Sequence, residues 1–170
     1  ARSCWATLRP DTDEMTAIAL RLAPHQVTLV PERREEITTE GGLDVAAQEA
    51  RLAEVVRRLG GAGIGVSVFI DAELRQVEAA ARIGAKVCEI HTGPYAHAFH
   101  AKGRDPESAP VVAELAKIRA AGEAIRHAGM RFNAGHALNY FNVQPVAALP
   151  GVRELHIGHA IVSRSVFAGM

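Results

Sequence analysis

Scarcity narrows the classes this 170-residue sequence can belong to. It has two cysteines, Cys4 and Cys88, far apart and outside any CxxC pair. That leaves no disulfide framework and no thiolate zinc site, and it points to a reducing cytoplasm. Neither sign of charge is in excess: nineteen Lys and Arg balance nineteen Asp and Glu. The balance removes the general electrostatic case for nucleic acid or an anionic membrane as a partner, so any attraction for a phosphate has to be local. No apolar run approaches the ~20 residues that span a bilayer. Residues 1–10 carry Arg2 and Arg9 and no long apolar stretch, so they do not read as a secretory signal. What is present, 48% hydrophobic and 22% charged residues, suits a single globular domain over 1–170 with a real core.

From residue 25 onward one pattern repeats: an amphipathic helix, a glycine, a short β-rich run, then small or polar residues. The spacing predicts helices over 13–22, 44–59, 72–83, 110–127, 143–149 and 160–168. In the second, Leu52, Val55, Val56 and Leu59 form one buried stripe. Strands are predicted over 26–30, 64–70, 86–91, 130–134 and 154–157, with Asp71 as a plausible N-cap of the helix that follows it. Five strands each reached from a helix, with no tight hairpin turns, imply an α/β fold with a parallel sheet. A doubly wound sheet and part of a (β/α)8 barrel both fit. A whole barrel typically needs about 250 residues.

In such sheets ligands bind at the C-terminal ends of the strands. The informative polar residues stand there. Strand one runs into the charged, glycine-bounded segment 31–42, which contains Thr38 and Thr39. It reads either as a lid whose hydroxyls meet a ligand or as a solvated loop with a helix cap. Glu89 and His91 lie two apart on a strand and so share a face. A carboxylate on an inward face is costly unless paired or functional. His136 follows Gly135 just past a strand, where an imidazole can pass protons near neutral pH. Gly158-His159 opens the last helix, and helix N-terminal N–H groups suit a phosphate. The histidine pairs His97/His100 and His156/His159 invite a metal, but no HExxH or DxH arrangement accompanies them.

Taken together, PERREEITTEGGLDV (31–45), VSVFIDA (66–72), EIHTGPYA (89–96), NAGHALNYFNV (133–143) and ELHIGHAI (154–161) resemble the pyridoxine 5'-phosphate synthase family. The likeness runs from about Asp13 to the C-terminus and leaves 1–12 unmatched. It implies a (β/α)8 TIM barrel of which this chain carries about five strands, and assembly as a homo-octamer. The implied reaction condenses 3-amino-2-oxopropyl phosphate with 1-deoxy-D-xylulose 5-phosphate to pyridoxine 5'-phosphate, phosphate and water, with no metal and no organic cofactor.

By the same resemblance His136 is the proton donor and Glu89 the carboxylate that stabilises the transition state. Thr38 binds the deoxyxylulose phosphate, and Gly158 and His159 contact a substrate phosphate. Ala137 stands where the family usually has a glycine that binds the aminoketone phosphate. Counting back, a family glutamate falls at Leu8, and two earlier strands carry an Asn–x–Asp–His and a His–x–Arg motif. The expectation is therefore a fragment that is inactive alone. The competing expectations are another phosphate-binding barrel enzyme, such as a metal-dependent epimerase or aldolase, and an inactive phosphate-binding fragment.

Overall fold

A computed structural model describes residues 5–8, 13–31 and 41–169. The chain alternates strand and helix: β1 (Trp5–Leu8), α1 (Asp13–Leu22), β2 (Gln26–Leu29), α2 (Glu49–Gly61), β3 (Gly65–Ile70), α3 (Leu74–Arg82), β4 (Val87–His91), α4 (Gly93–Ala101), α5 (Ala109–His127), β5 (Arg131–Gly135), α6 (Val143–Ala147), β6 (Val152–His156) and α7 (His159–Ala168). All neighbouring strands pair parallel, in the order β1-β2-β3-β4-β5-β6.

Sequential order decides where the helices go. A doubly wound sheet reverses direction partway and puts helices on both faces. Here every crossover steps the same way, and parallel crossovers are right-handed, so the helices form one layer on one face. The side chains agree. Val27, Leu29, Val66, Val68, Ile70, Cys88, Ile90, Phe132 and Ala134 alternate along β2 to β5 and join the buried helix residues in one hydrophobic core. From α2 the predicted stripe Leu52, Val55, Val56 and Leu59 enters that core.

The opposite face is polar, and the sheet curls around it. Thr7 of β1 and Glu154 and His156 of β6 line one cavity, although they belong to the two outermost strands. In a flat sheet five strand spacings would hold them roughly 24 Å apart. Deeper in the concavity, Arg131 Nη2 of β5 donates to Gln26 Oε1 of β2 at 2.5 Å, spanning two intervening strands.

Several expectations change. The described residues hold six strands rather than five, because Trp5–Leu8 pairs in register with Gln26–Leu29 inside the segment expected to be unmatched. Helix α4 is also additional. Gly93-Pro94 reads as a turn, yet the proline takes a first-turn position, and Tyr95, Ala96 and Phe99 are buried. Helix α2 begins at Glu49 rather than 44, since Asp44 Oδ1 accepts from Ala47 N at 3.1 Å and Gln76 Nε2 at 2.8 Å and fixes a turn. Asp71 is not the cap of α3. That helix starts at Leu74, and the Asp71 carboxylate is engaged elsewhere.

The α5–β5 contact gives a test of packing against propensity. In an exposed helix Gly→Ala gains about 1 kcal/mol. At Gly122, buried in α5, a Cβ would meet the Phe132 ring, with Cδ1 at 2.7 Å. Gly122→Ala is expected to destabilise the fold by about 1–3 kcal/mol, the scale of overpacking, seen as a lower denaturation midpoint. A raised midpoint would show that the ring yields freely.

Candidate active site

The register brings the polar strand ends together. Glu89 pairs opposite Asn133, His91 opposite Gly135, and Gly135 opposite His156. Glu89, His91, His136, Ala137, Glu154, His156, Gly158 and His159 all line the cavity at the C-terminal ends of the strands. Its volume of ≈ 1390 Å³ exceeds the roughly 300–1,000 Å³ of a single drug-sized pocket.

At its centre the chain makes a tight turn after β5. His136 has φ 80° and Ala137 φ 57°, both in the left-handed region. Each costs an L-residue on the order of 1 kcal/mol, and such strain persists only where neighbours enforce it. Thr92 is one of those neighbours. Its hydroxyl shares its proton between Gly135 O at 2.7 Å and His136 O at 2.5 Å, and its N–H donates to Gly135 O at 2.9 Å. The turn aims His136 at the His91 ring, with centroids 5.0 Å apart and planes at 60°. Phe69 packs on both imidazoles, 5.2 Å from His91 and 6.2 Å from His136.

Two carboxylates hold histidines in this wall. His91 Nδ1 donates to Asp71 Oδ1 at 2.9 Å, and the same oxygen accepts from Gly42 N at 3.0 Å. The bond from His91 keeps the Asp71 carboxyl below its ordinary value, against the opposing effect of burial. On the other side of His136, His156 Nδ1 donates to Glu89 Oε2 at 2.6 Å. Glu154 Oε2 lies 3.6 Å from His156 Nε2 and accepts from Asn133 Nδ2 at 3.0 Å.

The two cavity imidazoles therefore shift in opposite directions. Burial pushes His136 below the ordinary histidine value, and His91 adds to this while Glu89 partly offsets it. The hydrogen bond to Glu89 pulls His156 upward against burial, with Glu154 adding to the rise. The wall thus sets an imidazole whose neutral form burial favours beside one whose charged form a carboxylate favours, with the first turn of α7 opening on the same cavity.

Five of the six expected site residues, Glu89, His136, Ala137, Gly158 and His159, meet here. Ala137 takes the left-handed conformation that favours glycine. Thr38 and the rest of 32–40 lie outside the described residues. Sequence reasoning missed Asp71, Thr92, Asn133, Glu154 and the tie between His156 and Glu89. The period of two would have found the inward positions of Asn133 and Glu154, which share their face with Glu89.

The model of the family "Pyridoxal phosphate biosynthesis protein PdxJ" matches residues 8–170. The chain belongs to the PdxJ family. Proteins named pyridoxine 5'-phosphate synthase are its relatives: that of Aromatoleum aromaticum is 76% identical over 159 residues, 94% of this chain and 63% of its own length. That of Azoarcus sp. strain BH72 is 70% identical over 94% of this chain and 64% of its own. This PdxJ-family chain thus spans a little under two thirds of the curated relatives it matches. Among solved structures, the Amycolatopsis orientalis BexX/CysO complex is similar with TM-score 0.60 at 18% identity, over 94% of this chain and 59% of that one. A Trypanosoma brucei GMP reductase is similar with TM-score 0.57 at 15% identity, over 91% and 31%. At these identities the likeness is one of fold.

The shared carboxylate gives a test. Glu89→Gln is expected to lower the titration midpoints of both His156 and His136, because Glu89 favours the charged form of each. Histidine-resolved NMR titration measures both. A Gln variant in which His156 does not move would separate it from Glu89.

Proposed function

We propose that this chain forms the later part of a (β/α)8 barrel that acts as pyridoxine 5'-phosphate synthase, condensing 3-amino-2-oxopropyl phosphate with 1-deoxy-D-xylulose 5-phosphate to pyridoxine 5'-phosphate, phosphate and water. The observation that carries it is the convergence of Glu89, His136, Ala137, Gly158 and His159, from three separate family-like motifs, on one cavity of ≈ 1390 Å³. The barrel reading is supported by the sequential strand order and the curl. It is further supported by β1 and β6, which among the described residues pair on one side each, and by α7, which exposes Ile161, Val162, Val166 and Phe167. Those apolar side chains suit further barrel elements or the neighbouring subunits of a homo-octamer.

Each chemical step has a group suited to it. An amine attacks a ketone and a first water leaves to give an imine. Phosphate is eliminated, a carbon–carbon bond closes the ring by addition to the second ketone, and loss of the resulting hydroxyl as a second water makes the ring aromatic. His136, neutral at rest, accepts a proton in one step and returns it to a leaving group in another. Glu89 faces the cation that develops at the imine nitrogen and lowers its energy. The α7 N-terminus at Gly158-His159 and the backbone at Ala137 anchor the two phosphates, so that the carbon skeletons meet in reactive geometry. Thr38 adds a contact to the deoxyxylulose phosphate.

In the full-length protein, His136→Asn is expected to cut turnover roughly 100-fold or more, the scale of a lost general acid, with substrate binding changed much less. Wild-type protein that makes no pyridoxine 5'-phosphate would refute the function, and near-wild-type turnover of the variant would refute the role. The 170-residue polypeptide alone, in which β1 and β6 each pair on one side among the described residues, is expected to form no product.

A further inference from the structure

Glu89 stands on β4 and His156 on β6, with β5 between them. Two strand spacings separate their backbones by about 9–10 Å, yet His156 Nδ1 reaches Glu89 Oε2 at 2.6 Å. The intervening position on β5 makes the link possible. It is Gly135, where a Cβ would lie 2.5 Å from Glu89 Oε1 and 3.0 Å from His156 Cβ. The carboxylate and the imidazole meet in the space a side chain would fill. Glu89 is 8% exposed, and a carboxylate at that depth is costly without a partner.

We propose that His156 is a positioning residue for the synthase reaction. From β6 it reaches over Gly135 and clamps Glu89 Oε2, so that Oε1, lying over Gly135 one residue from His136, faces the developing positive charge. The inference rests on the synthase reading. Two carboxylates flank the clamp. Glu89 faces His156 from β4 and Glu154 from its own strand, while the Asn133 amide on β5 holds Glu154 in turn. Among the described residues, His91, His97 and His159 line the same cavity, as does His136, which burial holds below the ordinary histidine value. The upward shift of His156 accords with this arrangement. His156 acts through Glu89, so its loss should misplace the carboxylate during the reaction rather than weaken the hold on either phosphate.

Two variants of the full-length protein separate a clamp from mere packing. His156→Leu keeps most of the volume and removes the donor. His156→Asn places an amide nitrogen near the position of Nδ1 and keeps donation without charge. His156→Leu is expected to lower kcat about 10- to 100-fold, the scale of a misplaced catalytic group, with KM changed less than about 3-fold. His156→Asn is expected to recover most of the loss. A Leu variant within about 2-fold of wild type, or an Asn variant as poor as a folded Leu variant, overturns the proposal. Wild-type protein supplies an independent reading through its His156 ring nitrogens by NMR. Both are expected to stay protonated above the ordinary histidine midpoint, near pH 6.5. A midpoint at or below that value overturns the clamp whether or not the variants fold. Failure of wild type to make product strikes the synthase reading, whereas a normal wild type with an indifferent position 156 strikes this inference alone.

Discussion

Strands that follow one another in chain order within a parallel sheet leave its two faces with unequal tasks. Every crossover helix lands on one side, and that side takes the apolar half of each strand: Val66, Val68 and Ile70 of β3, Cys88 and Ile90 of β4, Phe132 and Ala134 of β5. The other half must curl around something. Here it curls around polar groups, from Gln26 and Arg131 at one end to Glu89, His91 and His156 at the other. The cavity and the polar groups meeting in it follow from that division. A period of two along each strand, applied to a curled sheet, brings residues from β1 to β6 into one wall.

Within that wall the electrostatics are set by pairing. Of the histidines that line the cavity, His91 bonds to Asp71 and His156 to Glu89. His136 lies between them on a strained turn and is left to burial, which favours its neutral form. The sign of each effect on stability follows. For His156 the folded state holds a proton more tightly than the unfolded chain does. Its contribution is full below about pH 6.5 and is lost as pH rises through the folded midpoint. His136 works the other way, costing stability as pH falls below about 6.5 towards its depressed midpoint. Such a site favours the neutral form of one imidazole and the charged form of the other.

The strand-end residues were the most legible part of the site. Glu89 and His136 follow from the rule that ligands meet the C-terminal ends of parallel strands, and both line the cavity. What escaped sequence reasoning escaped for identifiable reasons. Trp5–Leu8 is a four-residue strand whose place is fixed by its pairing with β2, a non-local contact. Helix α4 begins with Gly93-Pro94, which local turn chemistry reads as a break, and it is held by burial of Tyr95 and Phe99. Asp71 has the sequence position of a helix cap. Its carboxylate turns instead to His91, twenty residues on, and to Gly42. The bond between Glu89 and His156 joins residues 67 apart and depends on the missing side chain of Gly135. No local pattern encodes such a contact.

The most direct measurement is a crystal structure of the full-length protein grown with 1-deoxy-D-xylulose 5-phosphate and the aminoketone phosphate, or with unreactive analogues. The account predicts one phosphate on the first turn of α7 at Gly158-His159 and the other against the backbone at Ala137. The carbon skeletons should lie between His136 and Glu89 Oε1. Ligands bound outside the concave face, or a carbon skeleton out of reach of both side chains, would contradict it.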